Sequence, residues 1–212
     1  MTKATLIYVH DPMCSWCWGF TRARQNLFSR LPPGIEIVRL LGGLAADTDE
    51  PMPASTRRYV QETWKAIEQK IPGTRFNFEF WDKCRPRRST YPACRAVIAA
   101  RQQGDQYDEA MTARIQQAYY LEARNPSETE TLVELAAELG LDERRFAKEL
   151  HSALTNDTLI KEIQMAAGMQ VDSMPTLVLK IGESAWSLGI DYTESDTMLE
   201  SIQALQQMYP TG

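Results

Sequence analysis

A chain of 212 residues can bury one sizeable core or two small ones without disulfide staples. Its 43% apolar and 24% charged residues are ordinary globular usage, which argues against a disordered or fibrous protein. The net charge is −5 and the short basic cluster of Lys83, Arg85, Arg87, Arg88 and Arg95 is diluted by Pro and Thr, so no nucleic-acid partner is expected.

No stretch is long and apolar enough to span a membrane, and Met1-Thr2-Lys3 runs straight into strand-like sequence without a secretory signal, so no membrane partner and a cytoplasmic location are expected. The first strand is Ala4 to Val9. A turn through Asp11-Pro12 follows, then a helix with Trp18, Phe20, Ala23, Leu27 and Phe28 near one stripe, ended by Pro32-Pro33-Gly34. Ile35 to Leu41 reads as a second, largely buried strand, and Gly42 to Ser55 as a loop.

From Thr56 to Gly168 the pattern is helical almost throughout, with five or six helices expected. Thr90-Tyr91-Pro92-Ala93 suits a helix start. Ser127 to Glu130 fits a capping box for a helix buried through Leu132, Leu135, Ala136 and Leu139, and Asp142 caps the next. A further helix is expected from about Asp157. Thr176 to Ile181 and Ala185 to Ile190 form a hairpin, and Thr193 with Asp196 resembles a cap for a last helix packed through Met198, Leu199, Ile202, Leu205 and Met208. The order is β-α-β, a helical block, then β-β-α, an α/β chain divided into 1–50 with 169–212 and a helical insertion over 51–168.

Chemistry concentrates at Met13-Cys14-Ser15-Trp16-Cys17-Trp18. A strand ending at Asp11-Pro12 puts Cys14 at a helix N-terminus, where free N–H groups and the helix dipole favour a thiolate, the form that attacks disulfides. Cys17 lies three residues on, on the same face, so the pair can close a disulfide. In a reducing compartment such a pair is catalytic or metal-binding, not structural. A zinc reading needs a second ligand pair, and Cys84 and Cys94, ten residues apart across Pro86 and Pro92, make a poor one, so no metal is expected.

Asp11 to Phe20, the helical block and Met174-Pro175-Thr176 together resemble the DsbA family of thioredoxin-fold thiol-disulfide oxidoreductases. Asp11 to Phe20 is most similar to its cytoplasmic FrnE-like branch of predicted protein-disulfide isomerases. The resemblance implies a thioredoxin-like fold with a large all-helical insertion and disulfide exchange with protein or peptide substrates. It implies that Cys14 is the exposed nucleophile, that Cys17 is the buried resolving thiol, and that the Met174–Pro175 bond is cis and faces the dithiol. No organic cofactor is needed, with glutathione or a reductase as redox partner. The central Ser15-Trp16 lacks the histidine of the periplasmic pattern, so a strongly oxidising potential is not expected.

Around this pair, Trp16 and Met13 are expected exposed, with Trp16, Met174 and Pro175 as substrate contacts, while Trp18 and Phe20 suit a core. His10 and Asp11 are candidates for tuning the thiolate, against a purely structural role for His10. Cys84 and Cys94 are either reduced bystanders or a second redox pair. Two alternatives stand beside the oxidoreductase. One is a glutathione-dependent enzyme resembling kappa-class glutathione transferases or chromene-carboxylate isomerases, which usually carry serine at the position of Cys14. The other is a redox-regulated holdase or binding protein.

Overall fold

The computed structural model describes residues 4–209; the expected lead Met1-Thr2-Lys3 lies outside them. Described in chain order are β1 (Ala4–His10), α1 (Ser15–Ser29), β2 (Ile35–Leu41), α2 (Ala54–Lys70), α3 (Phe80–Lys83), α4 (Tyr91–Arg101), α5 (Gln106–Tyr120), α6 (Thr129–Glu138), α7 (Glu143–Leu150), α8 (Ala153–Gly168), β3 (Thr176–Ile181), β4 (Ser184–Leu188) and α9 (Asp196–Met208).

The sheet has the order β2-β1-β3-β4. β1 runs parallel to β2, with Ala4 opposite Ile35 and His10 opposite Leu41, and antiparallel to β3, with Val9 opposite Thr176. A parallel neighbour needs a crossover, which α1 supplies; β3 and β4 join by the expected tight turn. Side chains alternate along β1. Leu6 and Tyr8 pack with Phe20 and Leu27 of α1 and Met198 and Ile202 of α9, whereas Ile7 and Val9 pack on the other face near Ala166 of α8.

The α-β order expected from the sequence is present, with seven helices instead of five or six between β2 and β3. The four-residue α3 is too short to carry a periodicity of its own, whereas α7 and α8 are separate helices, as expected, divided at His151 and Ser152. α8 begins at Ala153, not near Asp157, because Ser152 Oγ accepts the Thr155 N–H at 3.1 Å. Asp142 caps α7 as expected. The capping box at Ser127 is not formed: its hydroxyl donates to the Ser89 carbonyl at 2.8 Å, and α6 starts without a side-chain cap. The Thr193–Asp196 cap is absent too, since Thr193 donates to Asp191 instead.

β2, expected largely buried, is only half-buried over most of its length because it forms an edge of the sheet. Met208, expected against the sheet, is 64% exposed at the end of α9. The helices between β2 and β3 pack around Trp64, whose ring touches Phe76, Trp81, Tyr119 and Tyr120. The loop after β2 turns sharply at Gly43, where φ is +59° and a Cβ would run into Ile163 and Tyr91. That turn delivers the Leu44 N–H to Asp11, as described next.

Candidate active site

β1 ends at His10, and the next residues fold into a turn in which the Cys14 N–H donates to the Asp11 carbonyl at 3.0 Å. Asp11 also uses its side chain. Oδ1 accepts the Met13 N–H at 2.7 Å; Oδ2 accepts the Leu44 N–H at 2.8 Å, the Thr90 hydroxyl at 2.6 Å and the Cys94 thiol at 3.4 Å. One buried carboxyl therefore ties the strand end to the loop after β2 and to the start of α4. Burial raises its pKa, and the four donated bonds only partly offset the rise.

This turn places Cys14 at the N-cap of α1, with φ −79° and ψ 116°. Its carbonyl accepts the Trp18 N–H at 3.1 Å, and its Sγ lies 3.3 Å from the Met174 carbonyl oxygen. The Met174–Pro175 bond is cis, as the resemblance implied. Cys14 was expected exposed and is not: it keeps 5% of its surface, because the Met174 backbone lies over its sulfur. Met13, also expected exposed, is 7% exposed, turned inward next to Ser127.

Cys17 is fully buried one turn along α1. Burial pushes its thiol pKa up, and the hydrogen bond and charge of Cys14 push it further; the Asp11 backbone N–H pulls modestly the other way. Ser15, between the cysteines, accepts the Trp64 Nε1–H at 2.9 Å, so the motif is anchored to α2. Trp16 is half-buried, with its ring 5.1 Å from Tyr192 and the Lys70 ammonium 5.4 Å from its centroid. Burial and the two cysteines raise the Tyr192 hydroxyl to about 12.

The remaining candidates separate. Cys94 is buried on Asp11, and burial followed by that carboxylate holds its thiol well above the usual range. Cys84 donates to the Ala123 carbonyl at 3.1 Å, so the two thiols have different partners and both are free. His10 does not reach the cysteines by any hydrogen bond. It is 2% exposed and stacks on Tyr8 at 4.7 Å with an interplanar angle of 2°. Thr90, Tyr8 and Tyr192 are the residues that sequence reasoning missed. Alternation along β1 carried a signal for Tyr8, which shares the α1-facing side with His10; nothing in the sequence pairs Thr90 with Asp11.

Burial, then Arg24, Arg39 and Arg101, lower the His10 pKa to about 3. The unfolded chain takes up this proton below about 6.5, whereas native His10 refuses it until about 3, so the contribution to stability is complete above 6.5 and is lost as pH falls across that window. Urea unfolding of the natural chain and of His10→Phe across the window should show a shallower pH slope in the variant, by up to about 1.4 kcal/mol per pH unit. Equal slopes would contradict this assignment.

Among the described residues no group of three or more His, Cys, Asp or Glu side chains is arranged to hold a metal ion. No described helix is long and apolar enough to cross a membrane.

A family model described as thioredoxin matches residues 7–196. A solved structure from Nitrosomonas europaea, described as a "putative protein disulfide isomerase", is 25% identical, covers 97% of this chain and 98% of its own, and superposes with a TM-score of 0.83. The cytosolic disulfide reductase DsbM from Pseudomonas aeruginosa is 24% identical with a TM-score of 0.74, over 96% of this chain and 99% of DsbM, and shares the fold. A second DsbM structure contains glutathione. Among curated proteins, the ClpXP adapter protein SpxH of Halalkalibacterium halodurans is 25% identical over 79% of this chain and 56% of its own length. The SpxH of Bacillus subtilis is 26% identical over 79% and 55%. The chain thus spans little more than half the length of these curated relatives.

Proposed function

This chain belongs to the thioredoxin family, and from that premise we propose that it is a thiol-disulfide oxidoreductase of the DsbA-like, protein-disulfide isomerase type, working through Cys14 and Cys17 of the Cys-Ser-Trp-Cys motif. The observation that carries this reading is the placement of Cys14 at the N-cap of α1, under the Met174 carbonyl, with the buried Cys17 thiol behind it. Cys14 attacks a substrate disulfide as thiolate, forms a mixed disulfide and releases one substrate thiol. Cys17 then attacks the Cys14 sulfur and releases the second. Run backwards, the same steps donate a disulfide.

Protein or peptide disulfides are the proposed substrates, with Trp16, Met174 and Pro175 as the contacts beside the dithiol. The SpxH relatives, named as adapters, support protein partners over small molecules. Glutathione is the proposed recycling partner, supported by its presence in a DsbM structure, and the cytoplasm the proposed location, supported by the description of DsbM as cytosolic. Reactivation of a scrambled multi-disulfide protein in a glutathione buffer tests the isomerase reading. Recovery of activity is expected with this chain and not with Cys14→Ser; reduction of the substrate without recovery would make the chain a reductase instead.

A further inference from the structure

Between the two cysteines stands Trp16, half-buried, and the Lys70 ammonium lies 5.4 Å from the centroid of its ring. The same ammonium is 5.7 Å from the centroid of Tyr192, whose ring meets that of Trp16 at 5.1 Å. Two aromatic faces therefore fix the end of a side chain that is exposed in the last turn of α2. Rings hold a cation in place but offer no oxygen to its N–H groups. Among the described residues Lys70 has no ion pair, whereas Lys65 and Lys83 pair with Glu62 and Glu79.

Two carboxylates stand on the same loop as Tyr192, and neither answers Lys70. Asp191 Oδ1 accepts the N–H groups of Thr193 and Glu194 at 2.9 and 3.0 Å. Glu194 lines an open, mostly apolar groove of about 390 Å³, together with Trp18 and Arg22 of α1, Thr74 and the Tyr192 ring. Arg22 and Glu194 bring opposite charges to that groove, so the uncompensated charge lies at its dithiol end, on Lys70. The Trp16–Lys70–Tyr192 stack thus joins the dithiol motif to a groove suited to uncharged side chains.

We propose that Lys70 is a specificity-determining residue of disulfide exchange, its ammonium pairing with a carboxylate next to the reacting cysteine of a polypeptide substrate. The preferred substrates are then disulfides flanked by Asp or Glu, with uncharged residues continuing into the groove. The proposal rests on the reading of Cys14 and Cys17 as the exchanging pair. The chain as a whole carries a charge of −5, a field that repels acidic peptides, so the preference comes from Lys70 locally and not from net charge. A lysine in the last turn of a helix also complements the helix dipole. That role shows in stability; it does not choose between substrates.

Three peptide disulfides identical except for Glu, Gln or Lys beside the reacting cysteine test this, with formation of the mixed disulfide on Cys14 followed by quenched-flow mass analysis. Each rate is divided by that of the same peptide with dithiothreitol, which removes the effect of the neighbouring charge on the disulfide itself. An exposed ion pair is worth a factor of up to about five. Attraction of one peptide and repulsion of the other should together favour Glu over Lys about tenfold at low salt, a ratio that falls toward one at about 1 M salt. Lys70→Gln should bring the ratio within twofold of one and leave the Gln peptide within twofold of its natural rate; Lys70→Arg should keep the preference and Lys70→Glu reverse it. A ratio within twofold of one in the natural chain, or a preference that survives in Lys70→Gln, would overturn the proposal while leaving the dithiol assignment intact. No mixed disulfide on Cys14 with any of the peptides would overturn that assignment and the preference with it.

Discussion

Cys14→Ser abolishes disulfide exchange, a loss of about a thousandfold or more, while Cys17→Ser leaves the chain joined to its first substrate through Cys14. The asymmetry follows from placement. Cys14 sits at the helix N-terminus under Met174, whereas Cys17 is wholly buried, its thiol pKa driven up by burial and by Cys14, so it can act only from within. Non-reducing peptide mapping of the trapped species should find the substrate on Cys14. Substrate on Cys84 or Cys94, or exchange surviving in Cys14→Ser, would contradict the assignment; Cys94 is buried on Asp11 and Cys84 is turned to the Ala123 carbonyl, so neither is expected to compete.

Trp64→Ala lowers stability by about 3–5 kcal/mol, the cost of removing a large buried aromatic and leaving a cavity. Trp64 is 0% exposed, stacks on Phe76 at 4.9 Å, meets Trp81 at 4.9 Å, and holds Tyr119 and Tyr120 edge-on. Its Nε1–H also anchors Ser15 between the two cysteines, so the variant loosens the motif as well as the core. Trp64→Phe keeps most of the apolar contact and loses that hydrogen bond, for about 1 kcal/mol beyond the packing change. Urea unfolding measures both. A loss below about 1.5 kcal/mol in Trp64→Ala would mean that the helical core does not depend on this ring.

The strands and α1 were legible because their signals are local: alternation in Ala4 to His10, a helix opened by Cys14, and a short turn between β3 and β4. The dithiol was legible for the same reason, since the spacing of Cys14 and Cys17 fixes a common helical face. What failed depends on partners distant in the chain. Ser127 has the sequence of a cap, yet its hydroxyl goes to the Ser89 carbonyl, and β2 has the sequence of a core strand, yet the topology puts it at an edge. The coverage of Cys14 by Met174 spans 160 positions, and no local pattern announces it. Asp11 was singled out for standing near the dithiol; its bonds to Thr90 and Leu44, which make it the joint between three segments, come from tertiary structure alone.

In the proposed mechanism Cys14 and Cys17 cycle between dithiol and disulfide. Equilibration of the full chain, with Cys84→Ser and Cys94→Ser in place, across a series of reduced and oxidised glutathione ratios, followed by acid quench and intact-mass analysis, tests it most directly. An intramolecular disulfide is expected, seen as loss of two hydrogens, with a midpoint less oxidising than the roughly −120 mV of the strongest oxidants. A chain that accumulates only a glutathione adduct on Cys14 and never closes onto Cys17 would contradict it.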